Sequence, residues 1–469
     1  MTAGELQAVA RRAAAVKPTP QQRAWQELEQ IAFAHFGVNT FTDREWGDGR
    51  EDPAVFEPTA LDADQWVDAC RGAGFGLLIL TAKHHDGFCL WPSDLTRHSV
   101  AASPWRQGQG DVVWEVARAC RAGGLKLGLY CSPWDRHEAR YGTDQYNDFF
   151  TGQLRELLTR YGEVAEVWFD GACGEGPNGR RQVYDWPRYY ETVRQLQPDA
   201  VIAICGPDVR WVGNESGLAR EDEWSVLPAP AAARPEIAPN FQGHDAQAKD
   251  LGSLERLAGA ERLVWYPAEC DVSIRPGWFY HASQDLQVRS VESLLDIYYR
   301  SVGRNSVLLL NIPPDQRGLF HEHDVERLHQ WRAALDRTFD RDLRRGALAT
   351  ATSAAPGAEP SRAVDGRRDT WWQAAPEQTS AVLELDLGEP RLFDRLELAE
   401  PIQQGQRLDG FRLEALHGDE WKLVTAARAV GHRRLDRFGA VRARRVRLAI
   451  EAARAEPALT TFALHQSTP

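Results

Sequence analysis

Short apolar segments alternate with longer amphipathic segments over the first two thirds of the chain. Seven of the short segments have the length and apolar content of buried strands. They are residues 31–36, 77–80, 125–130, 164–169, 201–204, 263–266 and 307–310. The alternation predicts repeated βα units around a parallel sheet. We expect an eighth strand near residues 277–281, which would complete a (β/α)₈ barrel over residues 1–345.

The longer segments between the predicted strands carry apolar residues at helical spacing. Four apolar faces can be read in this way, and they comprise Trp66, Val67, Cys70 and Ala73, then Val112, Val113, Val116 and Cys120, then Tyr146, Phe149, Phe150, Leu154, Leu157 and Tyr161, and finally Val288, Val291, Leu295, Tyr298 and Val302. We expect these faces to pack against the barrel, and we assign no chemistry to them.

After residue 345, apolar and polar residues alternate one by one, as in residues 382–388 and 411–416. This period is typical of strands with one buried face and predicts an antiparallel β-sandwich over residues 346–469. Three short runs in this region resemble discoidin-like domains, a family that includes carbohydrate-binding modules. The runs are Thr350-Ala351-Thr352-Ser353, Ala363-Val364-Asp365-Gly366 and Thr370-Trp371-Trp372.

Composition agrees with a two-domain globular protein and argues against nucleic acid as a partner. The 469 residues include 43% apolar residues, among them 17 Trp and 17 Phe, which is enough to bury two cores. The net charge is -12, whereas nucleic-acid binding depends on clustered Lys and Arg. The basic run 441–447 alternates with apolar residues, so we interpret it as a strand with one solvated face.

Two further features concern the compartment. The N-terminus has no basic start followed by an apolar core, and no segment approaches the roughly 18 apolar residues of a membrane helix. The seven cysteines lie between Cys70 and Cys270 without a C-x-x-C pair, and their odd number favours reduced thiols. We therefore expect a cytoplasmic protein with no membrane partner. The sequence gives no indication of oligomeric state.

Polar residues follow the predicted strands, where a (β/α)₈ barrel places its active site. In chain order these strand exits are His35, Lys83–Gly87, Tyr130–Ser132, Asp170–Gly171, Cys205–Asp208, Glu269–Asp271 and Asn311–Pro314. Glycosidic cleavage needs two carboxyl groups beside the anomeric carbon, so carboxylates at neighbouring strand ends are candidates. Asp170 ends an apolar strand at the predicted barrel rim. Capping of the following helix is its alternative role.

The pair His84-His85, followed by Asp86, permits two interpretations. Imidazoles are common metal ligands, but no third ligand stands at metal spacing. Hydrogen bonding of the two rings to neighbouring sugar hydroxyls is therefore favoured. Flat indole rings near the strand exits would suit the C–H face of a sugar, although any one of them alone is more often a core residue. These are Trp46, Trp168, Trp211 and Trp278.

Several of these motifs together resemble glycoside hydrolase family 29, the α-L-fucosidases, over most of residues 25–340. They are Ala34–Gly37, Glu45-Trp46, Thr81–Phe88, Tyr130–Ser132 and Val167–Gly171. The resemblance implies a retaining exo-α-L-fucosidase that acts on fucosylated oligosaccharides without a metal or cofactor, with Asp170 forming the covalent fucosyl intermediate. It also implies a fucose pocket lined by His35, Glu45, Trp46, His84, His85, Tyr130 and Trp168.

The proton donor is harder to select, because Glu215, Glu221, Glu223 and Glu269 all follow predicted strands. The segment Trp211–Gly217 resembles the branch of the family that cleaves α-1,3 and α-1,4 linkages. The Glu that matches Glu215 is the proton donor there. Glu215 is therefore the predicted acid/base, and Glu223 is the second candidate.

A later segment, Ala268–Phe279, resembles the same branch where it contacts the branching sugar. This likeness makes Arg275 and Trp278 expected substrate-binding residues, and it predicts poor activity on simple aryl fucosides. Three alternatives stay open at this point. They are a broad-specificity α-L-fucosidase, a non-catalytic fucose-binding protein, and a metal-dependent hydrolase built on His84, His85 and Asp86.

Overall fold

The computed structural model describes residues 2–229 and 247–467, which form a parallel barrel followed by an antiparallel sheet domain. The helices are α1 (Ala3–Ala14), α2 (Pro20–Gln26), α3 (Val38–Thr42), α4 (Ala63–Ala73), α5 (Val112–Gly123), α6 (Asp144–Arg160), α7 (Trp186–Leu196), α8 (Leu254–Ala258), α9 (Val291–Arg300) and α10 (Glu322–Phe339). The strands are β1 (Gln30–Ala34), β2 (Leu77–Lys83), β3 (Lys126–Cys131), β4 (Glu166–Phe169), β5 (Val201–Ile204), β6 (Arg210–Trp211), β7 (Val226–Pro228), β8 (Leu263–Trp265), β9 (Ala268–Ser273), β10 (Val307–Asn311), β11 (Leu348–Ala351), β12 (Trp372–Gln373), β13 (Ala381–Ala399), β14 (Leu408–His417), β15 (Glu420–Ala429), β16 (Arg434–Ala453), β17 (Ala458–Leu459) and β18 (Thr461–His465).

The barrel is an eight-stranded parallel sheet in the order β5, β4, β3, β2, β1, β10, β9, β6. Its two ends meet at a bridge between Cys205 and Arg210, so the barrel is nearly closed. Strands β1, β2 and β10 are buried along their whole length, which is why their sequences are apolar runs. The predicted (β/α)₈ barrel is thus confirmed, and the apolar faces of α4 and α5 pack against it as expected.

Two of the predicted barrel strands were wrong. Residues 263–266 contribute β8, which pairs antiparallel with β7 outside the barrel, and residues 277–281 form no strand. Their places are taken by the two-residue β6 and by β9. Strand β9 is not an apolar run, because Glu269 and Asp271 alternate with apolar residues along it. A barrel interior that carries carboxyl groups leaves no hydrophobic signal in the sequence.

The segment 226–260, which is rich in Ala and Pro, lies partly outside the described residues. Its described parts comprise β7 and, near the far end, the short helix α8. Helix α8 packs against α1 through a small apolar cluster that includes Val9, Ala13 and Leu257.

The second domain is an antiparallel sheet of β11, β13, β16, β14 and β15, with β18 paired to β13 and a separate β12–β17 pair. Alternate residues of its long strands are buried, as in Leu383 and Leu385 of β13. The basic run 441–447 lies in β16, where Val446 is buried while Arg445 and Arg447 pair with glutamates on neighbouring strands. The predicted β-sandwich and the strand interpretation of the basic run are confirmed.

Two further observations concern the described residues. None of their helices combines the length and the apolar character needed to cross a membrane. All seven cysteines are unpaired, and Cys173 is the exposed one among them.

Candidate active site

A cavity of about 430 Å³ opens at the C-terminal ends of the barrel strands. Its wall combines four carboxyl groups, three imidazoles and several large aromatic rings. The carboxyl groups belong to Glu45, Asp170, Glu215 and Asp271, and the imidazoles to His35, His84 and His85. The indole rings are those of Trp46, Trp168, Trp211 and Trp278. This set brings together nine of the eleven residues that the sequence predicted for the site.

Asp170 follows β4 directly and is fixed by two hydrogen bonds. Its Oδ2 accepts from the Tyr130 hydroxyl at 2.9 Å, and its Oδ1 accepts from the backbone N–H of Ala172 at 2.7 Å. Helix α7 begins only at Trp186 and is capped by Asp185, so Asp170 caps no helix. An oriented carboxylate at the cavity wall is the arrangement that a nucleophile requires.

Tyr130 lies behind the wall, fully buried, and contacts the cavity only through its neighbours. Its ring stacks on Trp168 with the centroids 5.2 Å apart. Burial raises the pKa of the Tyr130 hydroxyl, and the Asp170 charge raises it further. The hydroxyl therefore stays protonated and donates to Asp170.

The three imidazoles are buried and neutral. Burial lowers the pKa of His35 to about 3, and it lowers the pKa of His84 and His85 as well. Nδ1 of His35 donates to Asn311 Oδ1 at 2.8 Å, and Nδ1 of His85 contacts the Ser132 hydroxyl at 2.8 Å. The neutral His35 and His85 rings, each fixed through Nδ1, present Nε2 to a ligand, and uncharged sugar hydroxyls match them.

Glu45 joins the loop after β1 to the loop after β9. Its Oε2 accepts from the Trp278 backbone N–H at 2.8 Å, and its Oε1 contacts His281 Nε2 at 2.6 Å. A Cβ on Gly277 would lie 2.2 Å from Glu45 Oε1, so a larger residue there would displace the Glu45 carboxylate from these contacts. The neighbouring Trp46 is 53% exposed and stands at the cavity mouth.

Of the four acid/base candidates, Glu215 lines the cavity and the other three do not. Glu215 is exposed, and its Oε2 accepts from Trp278 Nε1 at 3.3 Å. Glu223 is buried in ion pairs with arginines of its own segment, and Glu221 faces solvent. Glu269 is fully buried on β9 beneath the cavity. The geometry therefore favours Glu215.

Arg275 was expected to bind substrate, but the structure places it away from the cavity. Its guanidinium is buried against Asp324, with Nε at 2.8 Å from Oδ2, and Nη1 contacts Asp285 at 2.8 Å. A buried cation between two carboxylates is committed to the fold, because removal of either partner would leave a charge uncompensated. The expected substrate contact of Arg275 is therefore corrected to an ion pair with α10.

Asp271 is a cavity residue to which the sequence assigned no role. Its Oδ1 accepts from Trp211 Nε1 at 2.8 Å. Burial raises the pKa of Asp271 well above its ordinary value, and the charges of Glu269 and Glu215 raise it further. In the sequence, only its position after a predicted strand pointed to Asp271. That position indicates the active site only if β9 belongs to the barrel, which the sequence did not predict.

The metal interpretation of His84, His85 and Asp86 does not match the geometry. Asp86 Oδ2 accepts from Asn39 Nδ2 at 3.0 Å and its Oδ1 accepts from the Phe88 backbone N–H at 2.7 Å. The Asp86 carboxyl is thus occupied by protein donors. Across residues 2–229 and 247–467, no group of three or more His, Cys, Asp or Glu side chains is arranged to hold a metal ion.

Comparison with known proteins gives matches over nearly the whole chain. The family model "Alpha-L-fucosidase" matches residues 19–337, and the model "NedA-like, galactose-binding domain" matches residues 362–448. α-L-Fucosidase 1 of Arabidopsis thaliana is 43% identical over 458 residues, which is 96% of this chain and 87% of that protein.

Solved structures are similar along the same length. A candidate α-L-fucosidase from Bacteroides ovatus is 48% identical with a TM-score of 0.89, and the match covers 99% of this chain and 76% of that one. A family 29 fucosidase from Ruminococcus gnavus, solved in complex with fucose, is 30% identical with a TM-score of 0.85, covering 97% and 95% of the two chains.

Proposed function

The chain belongs to the α-L-fucosidase family of glycoside hydrolases, family 29, and from this premise we propose that it removes terminal fucose with retention of anomeric configuration. Asp170 is the proposed nucleophile and Glu215 the proposed acid/base. The observation that carries the proposal is that both carboxyl groups line one cavity, with Asp170 held by two donors and Glu215 exposed on the loop after β6.

The proposed reaction has two displacement steps. In the first, an Asp170 oxygen bonds to the anomeric carbon while Glu215 transfers its proton to the departing glycosidic oxygen. In the second, Glu215 takes a proton from water, which attacks the same carbon and releases Asp170. Direct attack requires the two carboxyl groups to be about 5–5.5 Å apart across the bound sugar.

The remaining cavity residues supply recognition in this proposal. The neutral His35, His84 and His85 exchange hydrogen bonds with the uncharged hydroxyls of fucose. The Trp168 ring packs against the apolar face of the sugar. Glu45 and Trp46 close the wall on the side of the loop after β1.

The catalytic pair is tested by substitution of each carboxylate. We expect Asp170→Ala to lower kcat at least about a thousandfold, since the covalent step is lost. We expect Glu215→Ala to lower kcat about a hundredfold to a thousandfold and to be rescued by azide, which needs no general base. A retaining enzyme releases α-L-fucose first, and this product is identified by NMR before mutarotation.

Glu221→Ala is the matched control for Glu215→Ala, because Glu221 lies in the same segment but faces solvent. It should keep kcat/KM within about twofold, as is usual for an exposed residue away from the site. Full turnover by a purified Asp170→Ala variant would remove Asp170 from its proposed role. Azide rescue of a different carboxylate variant would move the acid/base elsewhere.

We also propose a preference for α-1,3 and α-1,4 linkages. The support is the likeness of Trp211–Gly217 to that branch, together with Trp211, Glu215 and Trp278 at the cavity mouth. Product analysis across α-1,2, α-1,3, α-1,4 and α-1,6 fucosides, with an aryl fucoside alongside, tests the preference. Comparable kcat/KM on all five would instead indicate a broad-specificity fucosidase.

A further inference from the structure

Two glutamates meet inside the barrel, beneath the floor of the cavity. Alternate residues of a strand point to the same side, so Glu166 and Trp168 share the inward face of β4, and Glu269 and Asp271 share that of β9. Glu166 and Glu269 are both fully buried. The strand register therefore stacks a layer of carboxyl groups directly under the layer that contains Trp168.

The contacts of this pair are arranged symmetrically. The side chains of Glu166 and Glu269 are neighbours that interact directly inside the barrel. The outer oxygens each accept from an indole, with Trp25 Nε1 at 2.8 Å from Glu166 Oε2 and Trp168 Nε1 at 2.7 Å from Glu269 Oε1. The remaining oxygens, Glu166 Oε1 and Glu269 Oε2, are buried and accept from no hydrogen-bond donor in the described part of the chain.

Two buried carboxyl oxygens without a donor are both satisfied if one of the neighbouring groups carries a proton and donates it to the other. Burial raises the pKa of both groups, and the charge of Glu166 raises the pKa of Glu269 further. Within residues 2–229 and 247–467, no Lys or Arg forms an ion pair with either group. Asp271 is the neighbouring titratable group, and it is also pushed towards its neutral form.

We propose that Glu166 and Glu269 share one proton and act as a positioning pair that fixes the indole of Trp168 at the floor of the fucose pocket. The chain of contacts runs from Trp25 on α2 through both glutamates to Trp168, and onward to Tyr130, on which Trp168 stacks. The role of Trp168 as a sugar platform rests on the proposed function. The shared proton and the fixed ring are additional to it.

A double-mutant cycle between Glu269 and Trp168 tests whether the pair acts through the indole. Glu269→Leu removes the acceptor, and we expect kcat/KM for a fucoside to fall about tenfold, chiefly through KM. Trp168→Phe removes the donor, and the double variant should lose no more than Trp168→Phe alone. Glu269→Gln should stay within about twofold of the parent, because an amide both accepts from Trp168 and donates to Glu166.

Trp25→Phe is the matched control, since it removes the other indole donor without touching the cavity. It should lower the melting temperature and leave KM and kcat within about twofold. Additive losses in the cycle, or a Glu269→Gln variant as impaired as Glu269→Leu, would overturn the positioning role. Asp170→Ala is assayed alongside, so that turnover by that variant refutes the proposed nucleophile and leaves the cycle interpretable.

The shared proton is tested separately by the pH dependence of stability. This test does not require the Glu269→Leu variant to fold. A glutamate in the unfolded chain titrates at about pH 4.3. Above that pH, both glutamates of the unfolded chain are ionised, whereas the folded pair still retains one proton. Stability therefore falls as pH rises until the folded pair also loses its proton. Melting temperatures between about pH 6 and pH 9 should decline less steeply for Glu269→Gln, which has no such proton. Equal slopes for parent and variant would show that no proton is shared.

Discussion

The orientation of Asp170 depends on Tyr130 more than on any other side chain, because the Tyr130 hydroxyl holds Oδ2 at 2.9 Å. His85 Nε2, at 3.8 Å from the same oxygen, is too distant for a hydrogen bond. We expect Tyr130→Phe to lower kcat about tenfold to a hundredfold, since a hydrogen bond to a charged group contributes roughly 1.5–3 kcal/mol. Steady-state kinetics on a fucoside measure the change.

Tyr190→Phe is the control for this substitution. The Tyr190 hydroxyl donates to the backbone oxygen of Cys205 at 2.6 Å, and Tyr190 does not line the cavity. Its loss should leave kcat within about twofold. A folded Tyr130→Phe variant with unchanged kcat would mean that the Ala172 N–H alone orients Asp170.

At the residue scale, the sequence predicted cavity residues correctly where they stand within a motif. It failed where the position of a side chain depends on its ion-pair partner. Asp170, His84 and His85 stand in a dense motif, and all three reach the cavity. Arg275 stands beside Trp278 in the chain, yet its guanidinium turns to Asp324 on a helix far away in sequence. Such a pairing depends on tertiary packing, and no spacing rule in the sequence reveals it.

At the element scale, the segment 274–281 is held against the cavity by Glu45. His281 bridges two carboxylates, with Nε2 at 2.6 Å from Glu45 Oε1 and Nδ1 at 2.5 Å from Asp43 Oδ1. Burial lowers the pKa of His281, but the hydrogen bonds and charges of the two carboxylates outweigh burial and raise it overall. The protonated imidazole donates to both carboxylates at once, which the neutral ring cannot do.

We therefore expect His281→Ala to raise KM severalfold with a smaller effect on kcat, because the segment carrying Trp278 loses an anchor. The anchor is complete below the ordinary pKa of histidine and is lost as pH rises through the raised value. The parent KM should rise over that interval, whereas the variant KM should be high and flat. The test is KM measured across pH for the parent, for His281→Ala and for the exposed control His417→Ala. Parallel profiles of KM against pH for the parent and His281→Ala would exclude the His281 bridge.

The hydrophobic pattern predicted the barrel strands that are apolar on both faces and missed those that are not. Six of the seven predicted strands lie in the barrel because both of their faces are buried among apolar groups, as in β2 and β10. Strand β6 has two residues and β9 carries Glu269 and Asp271 inside the barrel, so neither has an apolar period. The carboxyl groups inside the barrel thus interrupt the apolar pattern by which β9 could have been predicted from the sequence.

At the scale of the whole molecule, the second domain braces the segment that follows Glu215. Gln406 accepts from the Ser225 N–H at 2.9 Å and donates to the Glu223 backbone oxygen at 3.1 Å. Arg434 donates to the Glu221 backbone oxygen at 2.8 Å. Backbone groups of the barrel are thus satisfied by side chains of the sandwich, and the loop carrying the proposed acid/base is continuous with this contact.

The same interface contains a nearly buried charge cluster centred on Arg433, which pairs with Glu29 of the barrel and with Glu397 of its own domain. Burial alone would raise the pKa of each glutamate. The Arg433 charge, together with His432 and Arg368 at Glu29 and with His465 at Glu397, outweighs burial, so the pKa of Glu29 lies well below its ordinary value and that of Glu397 falls to about 2. Both carboxylates therefore stabilise the fold above the ordinary Glu pKa, and the contribution is lost as pH falls through their lowered values.

Arg433→Met keeps most of the volume of the side chain and removes the buried cation that the two carboxylates share, which leaves Glu29 with Arg368 and His432 and leaves Glu397 with His465. We expect the free energy of unfolding at pH 7 to fall by about 3–5 kcal/mol, the usual cost of breaking a buried ion pair from one side. The loss should shrink towards about pH 4.5, because the stranded glutamates can then become neutral at little cost. Urea unfolding at both pH values measures the difference.

Arg391→Met, which breaks an exposed pair with Glu389, should cost at most about 1 kcal/mol at either pH. A loss for Arg433→Met that matches this control would mean that the interface is held by its backbone contacts and not by its charges.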